Sequence, residues 1–256
     1  MYPRPQLKRE SFFLLNGQWD FAFDDENIGV LEGWSHTVRG DRKINVPFTY
    51  ETGKSGIGDE RPHGVIWYWK NITITNEFKK DQSIQINFEG CDYHLDLWVN
   101  GVYKGSHDGA YTRFAFELGK FAEGEEVLLS IRVEDPHSEE QVRGKQRWLS
   151  DNYGCWYVQT TGIWKDVWLE QVSDDYVEKI KITPDIYKKT VTIHTMCHSN
   201  KENLIMKSDV YFEGKFINSV SGKLEAGVCQ MDIDVYNKYV GEWGIELWSP
   251  DAPNLY

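Results

Sequence analysis

Residues 91–105 read "CDYHLDLWVNGVYKG", and their pattern decides the fold class. Leu95, Leu97 and Val99 fall on one side of an extended chain with Tyr93, and Asp92, His94, Asp96 and Trp98 fall on the other. Asn100-Gly101 then supplies the two residues that tolerate the positive φ angles of a type I′ turn, so the stretch predicts a β-hairpin. The same period of two recurs along the chain. It places Trp19, Phe21 and Phe23 together in "QWDFAF", Ile84, Ile86 and Phe88 in "IQINFE", and Val127, Leu129, Ile131 and Val133 in "VLLSIRV". Strong 3.6-residue patterns are missing, and the acidic "DDENIGVLEGW" at 24–34 has room for one short helical turn. The chain is expected to be all-β.

Composition narrows the function classes. With 256 residues, 40% hydrophobic and 27% charged, the chain is long enough and apolar enough to pack a core. Asp and Glu number 40 against 28 Lys and Arg, a net charge of −12, and no basic stripe appears. That balance argues against nucleic acid and anionic membranes as partners. The apolar runs are too short for a membrane span, and "MYPRPQLKRE" has no apolar signal region. Cys91, Cys155, Cys197 and Cys229 are scattered without C-x-x-C or zinc spacing, so they read as reduced thiols of a cytoplasmic protein with no metal and no cofactor. The 11 Trp and 14 Tyr fit an aromatic β core first and a carbohydrate platform second, since a flat ring covers the C–H face of a sugar.

Texture divides the chain in two. Dense strands end with "GIWKDVWLEQV" near residue 172, and "SDDYVEKIKITPD" reads as a polar linker entering a new strand. Lighter strands follow in "TVTIHTMCH", "IMKSDVYFEGKFINSV", "MDIDVY" and "WGIELWSP". The expected domains are 1–174 and 175–256. The second is short for an immunoglobulin-like sandwich of about 100 residues and is expected to stop before its last strand.

The chemistry is sparse. Glycoside hydrolysis uses two carboxyls held about 5–10 Å apart. Adjacent acids such as Asp24-Asp25, Glu125-Glu126, Glu139-Glu140 and Asp174-Asp175 read instead as solvated turn residues. The Asp92, His94, Asp96 set could meet a sugar hydroxyl or a cation, or simply lie on an outer face. "RGKQRW" at 143–148 reads as solvated loop charge, and neither a nucleophile elbow nor a phosphate-binding glycine loop occurs. The stretch "SDNYGCWYVQTTGIW" at 150–164 has two readings. Trp156, Tyr157 and Trp164 cap the end of a sandwich, or Asp151 accepts sugar hydroxyls while an aromatic covers the ring.

Taken together, "LLNGQWDFAFD", "GVIWYWK", "FEGCDYHLDLWVNGVYKGSHDGAYTRFAFEL" and "RGKQRW…CWYVQTTGIWKDVWLEQV" resemble the N-terminal sugar-binding domain of family 2 glycoside hydrolases. These are the β-galactosidase, β-glucuronidase and β-mannosidase relatives. "LWSPDAPNLY" resembles the end of that family's second, immunoglobulin-like domain. The resemblance implies a jelly-roll sandwich, then an immunoglobulin-like sandwich, then a TIM barrel beyond residue 256 that holds both catalytic glutamates. It therefore implies the accessory region of a retaining β-glycosidase with no catalytic residue in this chain. Substrate, the protein's own barrel and a homo-oligomer interface are the implied partners. Asp151 is the implied sugar contact, with Trp156 and Tyr157 beside it. A free-standing carbohydrate-binding module is the alternative.

Overall fold

A computed structural model describes residues 2–136, 138, 140–237 and 243–256. Glu139, one of the paired acids, lies outside the described residues. The chain divides into two compact units, Arg9–Val172 with Tyr2 and Pro3, and Ser173–Tyr256 with Arg4–Lys8.

In the first unit the strands are β1 (Phe12–Leu14), β2 (Gly17–Phe23), β3 (Arg42–Val46), β4 (Val65–Thr73), β5 (Ser83–Phe88), β6 (Cys91–Asp92), β7 (His94–Val99), β8 (Val102–Asp108), β9 (Phe114–Gly119), β10 (Glu126–Glu134), β11 (Gly162–Ile163) and β12 (Val167–Val172). They form an antiparallel sheet in the order β1-β12-β5-β9 and another in the order β3-β2-β4-β10-β7-β8. A short β11-β6 pair adds a third ladder at one end. The two large sheets enclose one core. Ile84, Ile86, Phe88 and Leu169 from the first sheet meet Phe21, Tyr68, Leu95, Leu97, Val127, Leu129, Ile131 and Val133 from the second. Each buried aliphatic or phenyl side chain there contributes about 1.5–3 kcal/mol relative to exposure. The strands expected from the alternation form, and they assemble into the jelly-roll sandwich that the family resemblance implies. Asn100 and Gly101 take φ of 49° and 77°, and Val99 pairs with Val102 across the turn.

The outer face of the six-stranded sheet carries a second apolar layer of Ala22, Val65, Trp67 and Trp69, covered by Trp34 and Val38. Asp24 holds this cover in place. Its carboxylate accepts from the backbone of Ile28 (2.8 Å) and Gly29 (2.9 Å) and from Trp67 Nε1 (2.9 Å). Asp24 is thus a buried capping acid rather than a solvated one, because three donors converge on it. The segment 24–34 forms turns, with a single helix-like bond from Glu32 N to Ile28 O.

The second unit contains β13 (Tyr176–Asp185), β14 (Thr190–His198), β15 (Ile205–Phe212), β16 (Lys215–Lys223) and β17 (Val228–Asp234). β13-β14-β17 form one sheet and β15-β16 another. Ile193, Ile233, Val235 and Ile245 pack with Val210 and Val220 between them, giving a smaller sandwich. The polar linker is shorter than its composition suggests, since β13 begins at Tyr176. "WGIELWSP" joins neither sheet; its described ladder contact is the isolated bridge Trp248–Pro253. The four cysteines are free thiols.

Candidate functional site

β11 and β6 pair Gly162 with Asp92 and Ile163 with Cys91, and the loop that precedes β11 lies at this end of the sandwich. Glycine is required in the "TTGIW" turn. Gly162 has φ of 89°, and a Cβ there would come within 2.1 Å of Tyr68 Oη. Upstream, the chain doubles back on itself. Tyr157 N donates to Lys145 O (2.8 Å), Arg147 N to Tyr157 O (2.6 Å), and Trp156 N to Tyr153 O (2.9 Å).

This fold-back gathers an aromatic cluster. Trp148 and Trp156 meet edge-on at 4.7 Å, and Trp148 and Tyr153 at 5.7 Å. Trp156 is half-buried in the cluster, while Tyr157 is 60% exposed and Asp151 projects into solvent with a 3.3 Å bond from Ser150 Oγ. Trp164 belongs elsewhere, donating to Ala110 O at 2.9 Å and packing on Tyr111. The loop therefore brings Asp151, Trp156 and Tyr157 into one surface segment with Trp148 and Tyr153, and leaves Trp164 out. The sandwich-cap reading fits Trp156 in part and does not fit Tyr157.

Beneath the loop lies a polar layer that residue spacing does not announce. Arg147 is 4% exposed and donates to Asn152 Oδ1 (3.0 Å), Gln159 Oε1 (3.3 Å) and Glu60 Oε2 (3.0 Å). Gln159 in turn donates to Glu60 O (2.8 Å), and Arg143 donates to Arg147 O (3.0 Å). "RGKQRW" is therefore solvated only in part: Lys145 is exposed, while Arg143 and Arg147 are buried. Its two arginines are buried because loop carbonyls and amides surround them.

Deeper still, Asp92 accepts from Gln146 Nε2 (2.7 Å), while Asp135 accepts from Thr161 Oγ1 (3.0 Å) and Gln141 Nε2 (2.5 Å). Burial, and then the nearby Asp135, pushes the Asp92 carboxyl up to about 7. Burial likewise pushes Glu51 up to about 7 and raises Tyr50 and Cys91. Asp92 does not share a face with His94, Asp96 and Trp98. The ladder breaks at Tyr93, so Asp92 pairs with Gly162 and points inward, while His94 and Asp96 sit on the outer face with Arg132 and Asp108.

All three acids, Glu51, Asp92 and Asp135, are buried. Among the described residues, no group of three or more His, Cys, Asp or Glu is arranged to hold a metal ion. No helix among the described residues is long and apolar enough to cross a membrane. What the end of the sandwich does offer is an exposed rim of rings and a carboxylate above a buried polar layer.

Fold and loop define a jelly-roll domain with an exposed aromatic rim at one end. The chain belongs to the glycosyl hydrolases of family 2: residues 12–173 match that family's sugar binding domain. It is 27% identical over 252 residues to a β-galactosidase of Thermoanaerobacterium thermosulfurigenes, covering 94% of this chain and 33% of that one. It is 23% identical over 270 residues to a β-glucuronidase of Paenibacillus borealis, covering 100% of this chain and 43% of the relative. A solved β-glucuronidase from Ruminococcus gnavus in complex with D-glucuronic acid superposes with a TM-score of 0.70 at 16% identity, over 100% of this chain and 43% of that one, a likeness of fold. The relatives are glycosidases, and the chain spans a third to somewhat under half of their length. Residues 12–173 correspond to the family's sugar binding domain, and the described residues form β-sandwiches and no barrel.

Proposed function

We propose that this chain is the accessory, sugar-binding part of a longer cytoplasmic β-glycosidase that hydrolyses β-galactoside or β-glucuronide bonds with retention. Both catalytic carboxyls lie outside residues 1–256, in a TIM barrel that the two sandwiches brace, and the whole assembles as a homo-oligomer. On this reading the domains run 1–174 and 175–256, the second being an immunoglobulin-like sandwich completed by later residues. Asp151 accepts hydroxyl hydrogens of the bound sugar, and Trp156 and Tyr157 cover its apolar face. The match of residues 12–173 to the family's sugar binding domain, within relatives several times as long, carries the proposal. The exposed aromatic loop supports it, since preformed rings and one acid suit a sugar better than a peptide or nucleic acid.

The test compares the purified chain with the longer natural protein on aryl β-galactosides and β-glucuronides. The chain alone should turn over neither, and the longer protein should turn over one. In the longer protein, Trp156→Ala should raise KM about tenfold, the equivalent of ~1.4 kcal/mol of binding. Turnover by the isolated chain, abolished by a substitution within it, would overturn the proposal. Tight sugar binding by a chain that has no longer form would favour a free-standing binding module instead.

A further inference from the structure

The end of the first sandwich holds three carboxylates out of water. Glu51 follows β3 and is 5% exposed, Asp92 closes β6 at 2%, and Asp135 follows β10 at 0%. Their hydrogen bonding is uneven. Asp135 is bonded by Thr161 and Gln141, and its own N–H donates to Gly64 O. Asp92 has one oxygen bonded by Gln146 and the other with no donor. Thr49 and Thr161 lie beside Glu51, yet neither of its oxygens receives a bond of hydrogen-bonding geometry.

An ionised carboxylate in such a place lacks the donors that would replace its water. The groups facing Glu51 are the hydroxyls of Thr49 and Thr161, the neutral phenols of Tyr50 and of Tyr68 from β4, and Asp135. Those facing Asp92 are Cys91, Asp135, Gln146 and one cation, Arg143. Asp135 holds the most side-chain donors of the three.

Two of these acids also fasten the aromatic loop. Gln141, Gln146 and Thr161 are spread along it from one end to the other, and each donates to Asp92 or Asp135; Thr160 N donates to Gln146 Oε1 at 3.0 Å. We infer that Glu51, Asp92 and Asp135 form a proton-dependent clamp, which holds loop 141–161 closed while Glu51 and Asp92 are neutral acids and releases it when they ionise. The ladder with Gly162 holds Asp92, and the bond from Asp135 N to Gly64 O holds Asp135 at the end of β10, so the loop is the part free to yield to the like-charge repulsion.

The direction with pH follows from linkage. Both carboxyls lie above their unfolded values, so the closed form binds the extra protons. Closure is complete below the ordinary carboxylate range near 4 and is lost as pH rises through about 7. Between those limits the opening constant rises by up to about tenfold per pH unit for each proton released, and above about pH 7 it levels off. This inference concerns the loop alone and stands whether or not the loop touches sugar.

Hydrogen exchange on the full chain, corrected for intrinsic chemistry, tests it at pH 6 and pH 8.5. The amides of Trp156 and Tyr157 should open at least tenfold more at the higher pH, while those of β10 stay constant. Glu51→Gln paired with Asp92→Asn should abolish the change. Should that pair fail to fold, infrared spectroscopy of the wild-type protein in D2O at pH 6 should show the carbonyl band of a protonated carboxylic acid, diminished in Glu51→Gln alone. A loop opening independent of pH, or absence of that band, would overturn the inference. So would Ca2+ or Mg2+ restoring closure at pH 8.5 in wild type and not in Glu51→Gln, which would make the chamber a cation site.

Discussion

Arg147→Met removes the cation around which the loop is built, and its cost can be worked from the neighbours. The ion pair with Glu60 contributes little, because the Glu60 side chain is 60% exposed and water screens it, leaving about 0–1 kcal/mol. Asn152 is exposed and regains water when its partner leaves. Gln159 does not; it is buried, its Nε2 stays bound to Glu60 O, and its Oε1 is left without a donor. An orphaned buried acceptor costs about 1–3 kcal/mol. Methionine keeps most of the apolar stem, so the sum is about 3 kcal/mol, or roughly a hundredfold in the opening equilibrium. Hydrogen exchange should register it at the Trp156 and Tyr157 amides, with the β10 amides unchanged. Arg147→Lys should recover only part of the loss, since one ammonium cannot span three acceptors set in different directions. Loop amides accelerated less than threefold, or equal acceleration at Ile131, would refute the reasoning.

Gly162→Ala should destabilise the first unit by about 2–4 kcal/mol, through a left-handed φ and the clash with Tyr68 Oη, read as a lower urea midpoint. Asp24→Ala should leave the Ile28 and Gly29 amides and the Trp67 indole without their acceptor, costing about 2–4 kcal/mol. Its signature is a shift in tryptophan emission as the cover over Trp67 and Trp69 loosens, and unchanged emission at full stability would contradict it.

Strands were legible where alternate residues are apolar. Val127, Leu129, Ile131 and Val133 all reach the core because each alternate residue of β10 meets the facing sheet, and Asn100-Gly101 marks a turn through backbone chemistry alone. Tertiary partners were not legible. Asp92 looked continuous with His94 and Asp96, but its pairing with the distant Gly162 turns it inward. Arg143 and Arg147 looked solvated because the acceptors around them come from Glu60, Gln159, Asn152 and the loop backbone, groups whose types suggest nothing. Glu51 gave no signal at all. A carboxylate's burial depends on what closes over it, and here that includes Thr161, far along the chain. "WGIELWSP" has the apolar content of a strand, but strand formation needs an edge to pair with, and its described contact is one bridge. The loop 150–164 stands out in the sequence by its density of rings, a property of local composition; which of those rings share a cluster is a property of the fold-back.

The most direct test of the central claim is the size of the natural gene product. An antibody raised against this chain should detect, in a lysate of the source cells, a protein larger than its 29.9 kDa by at least the ~28 kDa of a barrel of about 250 residues. A single band near 30 kDa would contradict the account, because the glycosidase it describes would then have no place for its catalytic carboxyls.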